Sequence, residues 1–138
     1  MQKRTAAWCW VGSFLVEAFG TEAVVEAEWG KLVAEIAQRR DGLRGVLVVT
    51  AGGTPSATQR AELTAALQGA SVPAAILNDS VLVRIALTAI NYFVRGQARQ
   101  FSPDQLDAAL LYLKAPESSW PQIRDAITRL QAEVGPQA

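Results

Sequence analysis

Residues 44–67 read RGVLVVTAGGTPSATQRAELTAAL, and the fold turns on how this stretch divides. Val46 to Val49 is an unbroken apolar run rich in β-branched residues. Such a run suits a central strand covered on at least one face. Gly52 and Gly53 interrupt it, and Leu63, Ala66 and Leu67 follow at helical spacing. The stretch therefore predicts a strand, a glycine loop and a helix. Two starts for that helix are open. Thr54 can cap it with Pro55 in the first helical position, or Ser56 can cap it with Gln59 closing a capping box.

Toward the N-terminus, Thr5 to Phe19 alternates in the manner of strands. Trp8, Trp10, Phe14 and Val16 share one parity, and Cys9, Val11, Leu15 and Glu17 the other. Gly12 and Ser13 can turn the chain, so a hairpin of two short strands is expected, with one long strand as the alternative. Thr21 is expected to cap the next helix. Its apolar stripe is Val25, Trp29, Leu32, Val33 and Ile36, with Glu22, Glu26 and Glu28 near the start and Arg39 and Arg40 near the end. Gly42 stops it.

Toward the C-terminus, SVPAAILN (71–78) reads as a strand. Asp79 or Ser80 opens a third helix from Val81 to about Phe93, and QARQF (97–101) suits an edge strand. Ser102, Pro103 and Gln105 form a start signal for a helix striped by Leu106, Ala109, Leu110 and Leu113. Ser119 and Gln122 open a last helix with Ile123, Ile127, Leu130 and Val134 on one side. Strands alternating with helices predict an α/β fold with parallel crossovers, and the opening hairpin adds an antiparallel pair. The 138 residues suit one domain, and half of them are apolar, enough for a sizeable core.

Composition narrows the function. Thirteen basic residues balance thirteen acidic ones, so no global field draws in nucleic acid or an anionic membrane. There is no histidine, and the only cysteine, Cys9, cannot form an internal bridge. That fits a reducing, cytoplasmic setting. The opening MQKR and the apolar run after it resemble a signal peptide briefly, but Gly12, Ser13 and Glu17 break the run. No window is long enough for an integral membrane segment. The glycine loop lacks the lysine of a nucleotide-hydrolysing phosphate loop. With no histidine and no clustered carboxylates, no catalytic residue, metal site or cofactor is expected, and the chain reads as no enzyme.

Several features bear a functional reading beside a structural one. Thr54, Ser56, Thr58 and Arg60 lie where a helix start could bind an anion or carry a phosphorylated hydroxyl, though capping alone explains each residue. The third helix carries a single charge, Arg84, and Val83, Leu87 and Val94 extend its apolar face around the cylinder. That face is either covered within the domain or meets a partner or a second copy. The tryptophans read as core, and Cys9 as an inert thiol.

The order of elements and three stretches resemble the STAS and SpoIIAA-like family, the sulfate-transporter and anti-sigma-factor-antagonist domains. RGVLVVTAGGTPSATQRAELTAAL is similar to that family's central strand, loop and helix. PAAILNDSVLVRIALTAINYF and ARQFSPDQLDAALLYL resemble its later strands and helices. The likeness runs from about Val11 to Lys114, leaving a helix at about 119–134 outside a core of about 8–114. It implies a mixed four- to five-stranded sheet flanked by helices, with an extra C-terminal helix. The family carries an aspartate before its phosphoacceptor serine and a glycine beyond it. Here the stretch is GGTPSATQ, with neither around Ser56. The resemblance implies a bacterial, cytoplasmic, non-enzymatic regulatory or scaffolding module that binds a protein partner or forms a homodimer. The alternative is a domain that binds a small ligand of lipid or nucleotide type, walled in part by the third helix.

Overall fold

Short alternating segments build one sheet, and the amphipathic segments between them cover both of its faces. The computed structural model describes residues 4–81, 83, 84 and 98–134. Strands β1 (Ala6–Val11) and β2 (Phe14–Phe19) form an antiparallel hairpin, turned at Gly12, whose φ of +58° suits glycine. Helix α1 (Glu26–Arg39) leads to β3 (Gly45–Thr50), α2 (Ala57–Leu67) and β4 (Ala74–Leu77). Beyond them lie β5 (Ala98–Phe101), α3 (Leu106–Leu113) and α4 (Trp120–Glu133). The five strands lie side by side in sequence order, and β2 to β5 are parallel. The protein is thus α/β with a mixed five-stranded sheet.

The sheet divides the core in two. Leu15 and Phe19 of β2 pack with Trp29, Leu32 and Ile36 of α1 and Leu67 of α2. On the other face, Val16, Leu47 and Leu77 pack with Leu110 of α3 and Ile123 and Leu130 of α4. Strand β3, in the middle, serves both: Leu47 and Val49 join the second cluster, Val46 and Val48 the first. Burial on both faces is why its sequence does not alternate with polar residues.

The hairpin corrects the parity read along residues 5–19. Cα partners are Trp8 with Glu17, Cys9 with Val16, Trp10 with Leu15 and Val11 with Phe14. Residues directly opposite each other share a face. The tight turn therefore puts Trp8 and Trp10 with Leu15 and Glu17, and Cys9 and Val11 with Phe14 and Val16. A single uninterrupted strand would have grouped them the other way.

Three helix starts also differ from expectation. Thr21 caps nothing: α1 begins at Glu26 after Val25, which has no side-chain cap. The Val25 N–H donates instead to Thr5 Oγ1 at 3.0 Å, and Glu28 Oε1 accepts from Thr5 N at 2.9 Å and from Ala6 N at 3.0 Å. The hairpin thus supplies polar partners to this helix start, and Val25 stands 47% exposed rather than in the stripe. Helix α3 starts at Leu106, although Gln105 Oε1 accepts from Ser102 N at 2.9 Å as its side of a box would. Ser119 precedes α4, but its hydroxyl donates to Pro116 O at 2.7 Å. Of the expected third helix, Val81, Val83 and Arg84 are described and helical; its remainder lies outside the described residues.

Just beyond β3, Gly53 lies against the backbone that follows β2. Its N–H donates to Gly20 O at 2.8 Å, and a Cβ there would lie 2.3 Å from Glu22 O and 2.8 Å from Gly20 O. Backbone cannot yield as a flexible side chain can. Gly53→Ala is expected to lower stability by roughly 1–3 kcal/mol or more, read from the urea midpoint. Gly30→Ala, at an open position in α1, should instead gain about 0.5–1 kcal/mol. A Gly53→Ala protein as stable as the parent would contradict the close approach.

Candidate functional site

The face of β2 toward α1 carries Leu15, Glu17 and Phe19, and all three are buried. Glu17 is 6% exposed and sits between Trp8 on one neighbouring strand and Val48 on the other. Neither satisfies it. Trp8 Nε1 donates to Glu35 Oε2 at 2.9 Å, and Trp10 Nε1 to Glu35 Oε1 at 3.0 Å. Glu17 has no hydrogen-bond or ion-pair partner among the described residues. Burial penalises its charged form and pushes the carboxyl up to about 8.

Glu17 lines a cavity of about 100 Å³ on this face of the sheet. Phe19, Val48 and Ile76 contribute from the strands, and Trp29 and Ile36 from α1. Leu63 and Leu67 of α2 add another wall. The segment Gly53 to Pro55, held by the contact at Gly20, borders it beyond the end of β3. Glu17 is the only titratable group among the described lining residues. Thr50 lines it too, but its hydroxyl donates to Gly53 O at 2.6 Å and accepts from Gly52 N at 3.0 Å. Among the described lining residues, the result is an apolar chamber with one acidic group and no basic one. An apolar cavity of about 150 Å³ is known to hold benzene, so this one suits a ligand of a few heavy atoms.

The four loop candidates occupy different roles. Ser56 is the cap: its Oγ accepts from Gln59 N at 3.1 Å, and Gln59 Oε1 accepts from Ser56 N at 2.9 Å. This settles the two possible starts of α2 in favour of Ser56. The Gln59 amide also donates to Val24 O at 2.8 Å, and Gln59 O accepts from Trp29 Nε1 at 3.1 Å, so the cap is locked to α1. Thr58 is exposed, and Arg60 Nη1 donates to Pro55 O at 2.9 Å. Thr54 is half-buried and lines the cavity.

Of the expected interface residues, Val83 is 2% exposed, packed with Ile76 and Ala98, and it lines the cavity. It faces the sheet and belongs to the core, which corrects its assignment to an outer surface. Leu87 and Val94 lie outside the described residues. Trp29 is core, as expected. Trp8 and Trp10 are half-buried, with the Arg4 and Arg39 guanidinium carbons 4.8 and 4.4 Å from their rings. Cys9 is half-buried against the α3 and α4 side.

Among the described residues no cluster of acidic, histidine or cysteine side chains could hold a metal ion, and no helix is long and apolar enough to cross a membrane. No protein-family model and no curated protein sequence matches the chain.

The sequence pattern alone does not mark Glu17 as a site residue. Its signal was the hairpin turn, which places it beside Leu15 and Phe19 on a covered face.

Two measurements check this geometry. Ser56→Ala should cost about 1 kcal/mol of stability, the usual loss of a serine cap, whereas Thr54→Ala should cost far less; equal losses would contradict the cap assignment. The second concerns pH. The raised Glu17 pKa means that the folded chain holds a proton which the unfolded chain releases near 4.5. The stability from this group is full below about 4.5 and declines up to about 8, by on the order of 5 kcal/mol if no relaxation intervenes. Glu17→Gln should remove that decline, so urea midpoints of parent and variant should diverge between acid and mildly alkaline pH. Parallel profiles would show that Glu17 titrates normally.

Proposed function

We propose that this chain is a non-enzymatic domain that binds a small, mainly apolar ligand in the cavity over Glu17. One observation carries the reading: an apolar chamber of about 100 Å³ on a covered sheet face contains a buried carboxyl with no partner among the described residues. Burying an unsatisfied ionisable group is unfavourable for folding alone, and a ligand that meets it would offset that penalty. Ligand pockets commonly combine apolar walls with a few polar groups. The absence of a basic lining group among the described residues makes phosphate-bearing ligands, nucleotides included, poor candidates. The mixed five-stranded sheet agrees at a coarse level with the STAS-like resemblance, and membership of that family is part of the proposal.

A second reading is a regulatory module that binds a protein partner or a second copy. Val81 favours it, standing 64% exposed at the start of the segment that carries Leu87 and Val94.

Cyclopentane, a hydrocarbon of suitable size, tests the first reading. It should bind the full chain and raise its melting temperature in a concentration-dependent manner, by mass action on the folded state. Ala74→Leu, which places a larger side chain on a lining position, should abolish that shift while the protein stays folded. An unchanged melting temperature in the parent at saturating cyclopentane would overturn the proposal. Sedimentation of the same samples tests the second reading: a mass of one 14.8 kDa chain at all concentrations would remove the homodimer.

A further inference from the structure

We infer that the ligand carries a protonated amine, and that its ammonium group docks on the Glu17 carboxylate while its hydrocarbon body fills the cavity. The inference rests on the small-ligand reading and narrows it to one chemical class. Among the described lining residues, Glu17 is the only group that can bear a charge, and that charge is negative. No lysine or arginine is among the described lining residues to receive an anionic head. Phe19 and Trp29 line the same space, and aromatic faces attract cations. Thr54, half-buried, is also among the lining residues. A carboxylate whose oxygens meet no donor among the described residues can accept more than one N–H, which an ammonium supplies and a lone hydroxyl cannot. The fold has already removed Glu17 from water, so much of the desolvation that opposes a buried ion pair is complete before the ligand arrives.

The charged groups on neighbouring elements do not supply this partner. On β1, Cys9 faces the opposite side of the sheet, while β3 and β4 carry no ionisable residue. On β5, the Arg99 guanidinium lies over Tyr112 of α3. From α1, Glu28 accepts from Thr5 and Ala6, Glu35 from the two indoles, and Arg39 stacks on Trp10. Glu26 accepts from Gln59, and Lys31 is exposed. Arg40, just after α1, donates to Ala66 O at 2.7 Å. From α2, Arg60 donates to Pro55 O and Glu62 is exposed; beyond β4, Asp79 and Arg84 are exposed. Among described residues, then, none of these groups lines the cavity with Glu17.

Proton balance follows from the chemistry. Below about pH 8 the empty site holds a protonated carboxyl. A free alkylammonium already carries its own proton, since its pKa is about 10. Binding therefore releases the Glu17 proton to solvent and leaves an ammonium–carboxylate pair. No bond beyond that O–H breaks, and no oxidant or other reactant is needed.

The probes are isobutylamine, its neutral analogue isobutanol, and cyclopentane, each titrated into the full chain by calorimetry. Isobutylamine affinity should rise about tenfold per pH unit from about pH 6 and level off above about pH 8, because one proton leaves on binding. Isobutanol affinity should stay flat or fall over the same range. Glu17→Gln should bind isobutylamine at least about tenfold more weakly and without pH dependence. An amine affinity that is flat or falls with pH overturns the inference, as does tighter binding of isobutanol than of isobutylamine at high pH. The parent's pH profile decides the matter even if Glu17→Gln fails to fold. Cyclopentane separates the two levels. If it binds and isobutylamine does not, the amine fails and the ligand-binding reading stands; if neither binds, both fail.

Discussion

The turn at Gly12 and Ser13 joins β1 to β2 and decides which side of β2 looks toward α1. A shift of one residue in that register would move every β2 side chain to the opposite face. Val16 and Ala18 would then leave the cluster under α3 and α4, and Glu17 would enter it. The observed register instead sends Leu15 and Phe19 into the core with Trp29 and Leu32, and Glu17 goes with them. The positive φ at Gly12 permits the tight turn, and the apolar pairs Trp10–Leu15 and Val11–Phe14 hold it closed. The two cores and the cavity depend on this choice, because β2 is the strand that joins the antiparallel pair to the parallel part of the sheet.

At Glu17 the pattern of the sheet and the chemistry of the side chain disagree. A carboxylate buried without a partner would be strongly unfavourable, so the group keeps its proton and its ordinary range is displaced upward. Local conflicts of this kind concentrate at functional sites, since a protein has little reason to retain one in a plain core. The nearby polar groups have been taken by other contacts. Glu35 receives both indole N–H groups, and Gln59 is shared among Val24, Glu26 and Ser56. Arg60 Nε is also buried without a partner among the described residues, although Arg60 Nη1 donates to Pro55 O.

Beyond the end of β3, one hydrogen-bonded corner connects three parts of the chain. Gly53 donates to Gly20 after β2, Thr50 closes the loop through its hydroxyl, and Asn78 Nδ2 donates to Thr50 O at 2.6 Å from the end of β4. The chain after β2 bends at Thr21 and Glu22 beside this corner, and α1 begins only at Glu26. The same corner positions Thr54 and Pro55 beside the cavity before Ser56 starts α2. Capping and cavity building are consecutive steps along one loop, so the hydroxyls grouped together in sequence serve separate ends.

The sequence by itself determined the order of the described strands and helices, the central place of Val46 to Val49, the inward Trp29, Leu32 and Ile36 of α1 and Ile123 and Leu130 of α4, and a capping box available at Ser56. These follow from interactions among residues a few positions apart, where periodicity and turn chemistry speak directly. Tertiary structure decided what Glu17 and Val83 are. Glu17 reads as a polar break in an apolar strand until Trp29 and Leu67, far along the chain, close over its face. Val83 reads as surplus apolar surface until Ile76 and Ala98 are set beneath it. The start of α1 was likewise hidden, because the carbonyls of Gly20 and Glu22 meet Gly53 only once β2 and β3 lie side by side. Burial and close backbone approach are properties of pairs distant in sequence, so they enter only when the sheet is assembled.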